Sequence, residues 1–181
     1  MVLRSTTWSA YQTRRLQNCR TTQLYAMSNS RDIATADICE LLGEGATFKI
    51  VVRGYSMLPM LGFGRDTIIL RRVDASEDIS GRIAMFRNER GRIVVHRIIG
   101  INGGIVSLRG DGNLYQVEQC KREEIIAVLE SVVRESGKEI CCTSRRWHRR
   151  ERMWLRTPLW LRRYALAIMR RIADFKAKKQ I

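Results

Sequence analysis

The chain has 181 residues, and its 33 Lys or Arg against 18 Asp or Glu give a formal net charge of +15. This length accommodates one domain with a real hydrophobic core plus extensions. No apolar run reaches the roughly 18 residues of a spanning helix, and no apolar stretch of a secretory signal is visible, so neither an integral membrane protein nor a secreted precursor is indicated.

The charge divides the chain into three parts. Residues 1–31 contain five arginines and no acid, and residues 145–181 contain 13 basic and two acidic residues, whereas the remainder is close to neutral. The high isoelectric point therefore belongs to the two ends. We predict a basic, disordered extension over 1–31, a domain over 32–143 with its core at about 46–135, and a basic amphipathic helical tail over 144–181.

The five cysteines are scattered and odd in number, and no Cys-x-x-Cys or histidine at ligand spacing accompanies them. They predict no disulfide framework, no metal site and no cofactor, which is typical of a reducing compartment. We therefore expect a cytoplasmic protein, either free or peripheral at the inner membrane face.

Short apolar runs separated by glycine-containing turns dominate the middle of the chain. Residues 32–42 have helical spacing and are followed by Gly43 and Gly45, which predicts one short helix. Beyond it, runs rich in β-branched residues alternate with turns every 8–12 residues, typical of a mostly β domain. The predicted strands are 47–53, 67–73, 82–87, 92–101, 105–108 and 125–134.

The first of these strands ends at Gly54, and Ser56 follows at once in a turn that continues with Met-Leu-Pro-Met. Such a turn exposes one hydroxyl beside free backbone N–H groups, as a serine nucleophile requires. The simpler interpretation is that Ser56 caps a helix, its oxygen accepting an N–H two or three residues on.

Two further residues have the right chemistry to act with Ser56. His96 lies mid-strand on the face of Val94 and Ile98, where it is either a core histidine or a general base that takes the serine proton. Asp111, in Arg-Gly-Asp-Gly-Asn, is either a turn residue or the acceptor of the other ring proton of His96. Lys49 is a weaker rival base.

Gly-Tyr-Ser-Met-x-Pro, then His-Arg-Ile-Ile, then Arg-Gly-Asp-Gly-Asn form an ordered set. Over about residues 47–133 this set resembles the serine-peptidase superfamily of signal peptidases and LexA-type repressors. The histidine is similar to the branch of the endoplasmic-reticulum signal peptidases, since many other members have lysine there. No spanning helix precedes the serine as it does in that branch, and Glu118 is the nearest acid to the branch's second downstream aspartate.

The resemblance implies a small, coiled all-β peptidase domain. Ser56 would be the nucleophile, His96 the general base and Asp111 its support, while Gly54, Tyr55 and Met57 would surround the oxyanion and substrate. The expected activity is cleavage of a peptide or protein substrate, such as a leader or precursor peptide. The alternatives are a catalytically silent peptide-binding module of the same fold and a basic regulator associated with nucleic acid.

The C-terminal segment interleaves arginines with aromatic and aliphatic residues. From Trp160 to Phe175 the apolar positions share one helical face, and Thr157-Pro158 precedes the helix. Such a helix suits the surface of an anionic membrane, which residues 145–181 would contact, or it docks on its own domain with solvated arginines. Non-specific contact with nucleic acid is a third option, and no motif indicates specific nucleic-acid recognition.

Overall fold

A computed structural model of the protein describes residues 47–178, except Phe63 and Ala75. The predicted extension over 1–31 and the predicted helix over 32–42 lie outside the described residues. The described residues are mostly β: one antiparallel sheet of eight strands is followed by two C-terminal helices.

The sheet has the order β1-β2-β7-β3-β4-β5-β6, and β8 pairs with β7. All the predicted strands are confirmed within a residue or two of their ends, whereas β6 and β8 were not predicted. The strands are β1 Thr47–Val51, β2 Thr67–Arg72, β3 Ile83–Arg87, β4 Ile93–Asn102, β5 Ile105–Arg109, β6 Glu118–Lys121, β7 Ile125–Val133 and β8 Glu139–Cys141.

Side chains from both faces of the central strands are buried, and they belong to two apolar clusters. On β3, Met85 belongs to the first cluster and Phe86 to the second. The alternation predicted for β4 is confirmed, because Val95 packs against the first cluster while Val94 and Ile98 lie with the second. Consecutive residues of β4 therefore pack in different apolar clusters.

Two helices follow the sheet: α1 (Arg145–Arg156) and α2 (Leu159–Lys178). The Ser144 hydroxyl caps α1 by accepting the N–H of Trp147 at 3.3 Å. Helical structure in the tail is thus confirmed, with Thr157-Pro158 separating two helices. No helix in the described part of the chain is both long enough and apolar enough to cross a membrane.

Both helices pack on the domain. Trp154 of α1 and Leu166 of α2 form a third apolar cluster with Leu58. The Arg162 guanidinium lies 4.9 Å from the centre of the Trp154 ring, in a cation–π contact. The docked arrangement expected as one alternative is therefore present on the inner side of α2, and it brings the helices next to the turn that contains Ser56.

Candidate functional site

Ser56 lies in the tight turn after β1, where it is half-buried. Gly54 has φ +95°, a conformation that side chains beyond glycine rarely adopt, so the chain can reverse there at little cost. Two backbone hydrogen bonds hold the turn: Leu58 N–H donates to Tyr55 O at 3.2 Å, and Leu61 N–H donates to Met57 O at 3.0 Å. The buried Met57 side chain anchors the turn in the first apolar cluster.

The turn offers free backbone donors. Within the described residues, the N–H groups of Gly54, Ser56 and Met57 donate no hydrogen bond. Unpaired N–H groups beside a serine hydroxyl are the donors from which an oxyanion hole is built. The resemblance implies that Gly54, Tyr55 and Met57 surround the oxyanion and substrate, and that role stays a prediction.

The loop after β5 packs directly on the Ser56 turn. Gly112 N–H donates to the Ser56 carbonyl oxygen at 2.7 Å. A Cβ placed on Gly112 would lie 2.6 Å from Tyr55 O, and one on Gly110 would come under 3.0 Å from Ser56 O. Both glycines are needed because the two backbones approach too closely for any side chain.

His96 is buried in the middle of β4, with 6% of its surface exposed. Its ring centre is 6.1 Å from that of Phe86, a member of the second apolar cluster. Its Nδ1 lies 2.8 Å from Glu118 Oε2 on β6. The two atoms are close but not aligned for a hydrogen bond, and neither has another partner within the described residues.

The protonation of His96 suits a base. Burial lowers its pKa, and the nearby carboxylates of Glu118 and Asp111 oppose this effect only in part. The imidazole is therefore neutral at neutral pH. In the tautomer that holds its proton on Nδ1, the nitrogen beside Glu118, Nε2 has the lone pair that accepts a proton.

Glu118 is itself held in place. The Asn88 amide donates to Glu118 Oε1 at 3.1 Å, and Asn88 Oδ1 accepts the N–H groups of Arg90 and Arg92 at 3.1 and 3.0 Å. The β3–β4 hairpin turn thus fixes the carboxylate beside His96. The sequence pointed to no role for Asn88, and the local signal that could have found it is its place at the start of the Asn-Glu-Arg-Gly turn between β3 and β4.

The Asp111 carboxylate contacts Arg97. Arg97 Nε and Nη2 donate to its two oxygens at 2.8 and 2.7 Å, and Arg97 Nη1 also bonds Glu151 of α1. Burial tends to lower the pKa of Arg97, but the carboxylates of Asp111 and Glu151 outweigh it and raise the pKa. The acid beside the Nδ1 atom of His96 is therefore Glu118, whereas the sequence had suggested Asp111 for that place.

Asp111 also connects the loop to the helices through its carbonyl oxygen. Trp154 Nε1 of α1 and Arg162 Nη2 of α2 both donate to this oxygen, at 3.0 and 3.1 Å. Further along α2, Arg170 Nη2 donates to Gly112 O at 3.1 Å. The loop that supports Ser56 is thus held by donors from both C-terminal helices.

The loop after β5 links Ser56, Asp111 and Arg97, whereas the His96 side chain leaves β4 on the face opposite Arg97. Ser56 is bonded to Gly112, and the adjacent Asp111 is bonded to Arg97, the neighbour of His96. Within the described residues the Ser56 hydroxyl donates no hydrogen bond, to His96 or to any other group. Such contacts are often long in the absence of substrate. The Ser56–His96 dyad stays a prediction.

The other nucleophile candidates are less suitable. Burial raises the pKa of Cys120 to about 12 and that of Cys142 to about 12, so both thiols are protonated and unreactive at neutral pH. Lys49 lies on β1 opposite Ile69 of β2. Among the described residues, no three His, Cys, Asp or Glu side chains are clustered so that they could hold a metal ion.

No protein-family model matches the chain, and no curated protein sequence matches it. The resemblance described above therefore rests on its three motifs alone, and the chemistry is argued from the contacts of Ser56, His96 and their neighbours.

Proposed function

We propose that the protein is a serine endopeptidase of the signal peptidase and LexA-like type, with the coiled β fold of that superfamily. The observation that carries the proposal is the environment of His96. Its imidazole is buried, the pKa of the imidazole is lowered, and Nδ1 faces the carboxylate of Glu118. The residue lies on β4, next to the loop that binds the Ser56 turn. A neutral imidazole with one oriented nitrogen is what a general base requires.

In the proposed reaction, Ser56 Oγ attacks the carbonyl carbon of a peptide bond while His96 Nε2 takes the hydroxyl proton. The negative charge that develops on the carbonyl oxygen is stabilised by free N–H groups of the turn, at Gly54, Ser56 and Met57. The protonated imidazole then donates to the leaving amine, and an acyl-enzyme forms on Ser56. Water, deprotonated by His96, releases the acid.

The two acids take different parts in this proposal. Glu118 orients His96 and stabilises the imidazolium, because its carboxylate lies against Nδ1. Asp111 positions the Ser56 turn, since its ion pair with Arg97 fixes the loop that contains Gly112. The substrate class that we expect is an extended segment of a leader or precursor peptide.

The test is adduct formation by a serine-directed acylating probe, read by mass spectrometry, together with cleavage of a peptide library. We expect the wild type to be labelled on Ser56 and to cleave, and Ser56→Ala and His96→Ala to do neither. Ser107→Ala is the matched control, because Ser107 is also half-buried but lies on β5. Equal inertness of the wild type and both variants would exclude the peptidase.

One observation favours a second candidate, a catalytically silent peptide-binding module. Within the described residues the Ser56 hydroxyl and the His96 ring are not hydrogen-bonded. This candidate predicts that peptides bind to the wild type and to Ser56→Ala with equal affinity, while the acylating probe leaves Ser56 unmodified.

A further inference from the structure

Helix α2 has apolar side chains on two opposite sides. Its inner side, with Ala165, Leu166 and Met169, packs in the third apolar cluster. Its outer side bears six large apolar residues, each 44–65% exposed, which we call the outer stripe: Trp160, Leu161, Tyr164, Ile168, Ile172 and Phe175. Docking on the domain therefore leaves these six apolar side chains of the helix exposed.

The outer stripe is continuous. Trp160, Tyr164, Ile168, Ile172 and Phe175 follow one another at intervals of four, four, four and three residues, which keeps them on one side of a helix. At 1.5 Å per residue the stripe is about 22 Å long. An exposed apolar surface of this extent marks an interaction site.

The charges around the stripe identify its partner. The two acids of the helices are engaged with the body of the domain, Glu151 with Arg97 and Asp174 with the Tyr55 hydroxyl. The exposed charged residues of the two helices that remain are basic, among them Arg163 and Arg171 on α2. The outer surface therefore combines aromatic and aliphatic side chains with cations.

We propose that the outer stripe binds the surface of an anionic lipid bilayer, with α2 lying in the plane of the interface. Apolar side chains would enter the acyl boundary while arginines contact the head groups. A second copy would bring two cationic surfaces together, and residues 1–31, with five arginines and no acid, would be repelled in the same way. The anionic bilayer is the occupant with complementary charge.

This proposal does not depend on the peptidase, but it has a consequence for the site. The inner side of α2 contacts the Ser56 turn and its loop, through Tyr55 and Gly112. A helix with side chains is about 10 Å across. Binding through the outer stripe would hold the Ser56 turn at about that distance from the lipid surface.

The first measurement is co-sedimentation of the full chain with vesicles of phosphatidylglycerol and phosphatidylcholine in equal amounts, and with pure phosphatidylcholine. We expect binding to the anionic vesicles. The triple variant Trp160→Ser, Ile168→Ser, Phe175→Ser should bind these vesicles more weakly by a factor of about ten or more. Arg163→Gln and Arg171→Gln should each weaken binding roughly fivefold.

The matched control removes three apolar side chains elsewhere. Ile99, Ile101 and Ile105, at the β4–β5 hairpin, are 41–43% exposed, so their replacement by serine changes exposed apolar surface without opening the core. This variant should bind as the wild type does. Loss of binding here, with the outer stripe variant unaffected, would overturn the assignment to α2.

The second measurement is quenching of Trp160 fluorescence by brominated lipid, in a Trp8→Phe background. Trp147 and Trp154 are buried and so are shielded from the bilayer. Quenching that disappears in Trp160→Phe supports insertion. If the protein sediments with the vesicles but Trp160 fluorescence is not quenched, the binding is non-specific electrostatic attraction of a basic protein, and the proposal is overturned.

Two rival occupants have their own outcomes. If lipid-free protein is a dimer that the outer stripe variant converts to a monomer, the stripe is an interface between copies. If the protein does not bind vesicles but binds RNA or DNA, and the arginine substitutions lower that affinity, the surface recognises the phosphate backbone of nucleic acid. Either result excludes the bilayer as the partner of α2.

Discussion

Gly112 gives the most direct test of how the Ser56 turn is supported. An alanine Cβ there would lie 2.6 Å from Tyr55 O and 3.2 Å from both Ser56 O and Leu58 O. Ordinary van der Waals contact of a Cβ begins at 3.4 Å, so the turn or the loop must move by about 0.8 Å. All three neighbours are backbone carbonyls of one tight turn, which cannot rotate aside as a side chain would.

We therefore expect Gly112→Ala to lower the free energy of unfolding by about 1–3 kcal/mol, the usual cost of overpacking. With a urea m-value of about 2 kcal/mol/M, the midpoint of unfolding should fall by roughly 1 M. If Ser56 is the nucleophile of the proposed peptidase, a shift approaching 1 Å there should also reduce peptide cleavage by about a hundredfold.

The control is Gly100→Ala, since a Cβ on Gly100 meets nothing within 4 Å. This variant should be as stable as the wild type or slightly more stable, because alanine restricts the unfolded chain. Urea titration and the rate of Ser56 acylation measure both effects. If the two variants match in stability and rate, the loop does not constrain the turn; if only stability falls, the turn is structural and not catalytic.

Three further predictions concern His96 and the two acids. The pKa of His96 is lowered in the folded state, so the unfolded chain binds a proton on this histidine at higher pH than the folded chain does. The free energy of unfolding should therefore decrease as the pH falls below about 6.5. Urea titrations should show this decrease in the wild type and a smaller one in His96→Asn. Glu118→Gln should lower the pKa of His96 further and move the acid limb of the pH–rate profile to lower pH. It should also reduce kcat/KM by about a hundredfold or more. An unchanged profile would contradict the contact of Glu118 with Nδ1. Asp111→Asn should destabilise the domain by about 3–5 kcal/mol, because it leaves the buried Arg97 cation without its bidentate partner. In a double-mutant cycle, adding Arg97→Met to the same chain should recover part of that loss.

The sequence predicted the strands well because the local signals agreed. Runs of β-branched residues and glycine turns marked β1 to β5 and β7, and the alternation of β4 identified which residues face each cluster. Strands β6 and β8 were missed because they are only four and three residues long: Glu-Gln-Cys-Lys and Glu-Ile-Cys have no apolar alternation. Each pairs antiparallel with a strand close in sequence, β6 with β5 and β8 with β7, but so few residues give no two-residue pattern by which a strand could be recognised.

The tail shows a different limit. Periodicity identified the apolar positions of α2, but it could not divide them between a docked side and an exposed side. That division is made by the domain, which buries Leu166 against Leu58 and uses Arg162, expected to be solvated, as a buried donor to Asp111 O. An arginine on the inner side carries no local signal that distinguishes it from the exposed Arg163.

The placement of the two acids follows from the two-residue period of β4. His96 and Arg97 are consecutive, so their side chains leave opposite faces of the strand and one carboxylate cannot lie flat against both. Asp111, on the loop that binds Ser56, pairs with Arg97, and Glu118, on β6, lies against His96. From the sequence, Asp111 is either a turn residue or the acceptor of the other ring proton of His96, because motif spacing does not record which face of β4 a loop approaches. If the proposed chemistry holds, loss of Asp111 should act chiefly through the stability of the Ser56 turn, whereas loss of Glu118 should act chiefly through the protonation of His96, because Glu118 affects the pKa of His96 more strongly than Asp111 does. A pH-profile shift as large in the Asp111 variant as in the Glu118 variant would show that the two faces are not independent.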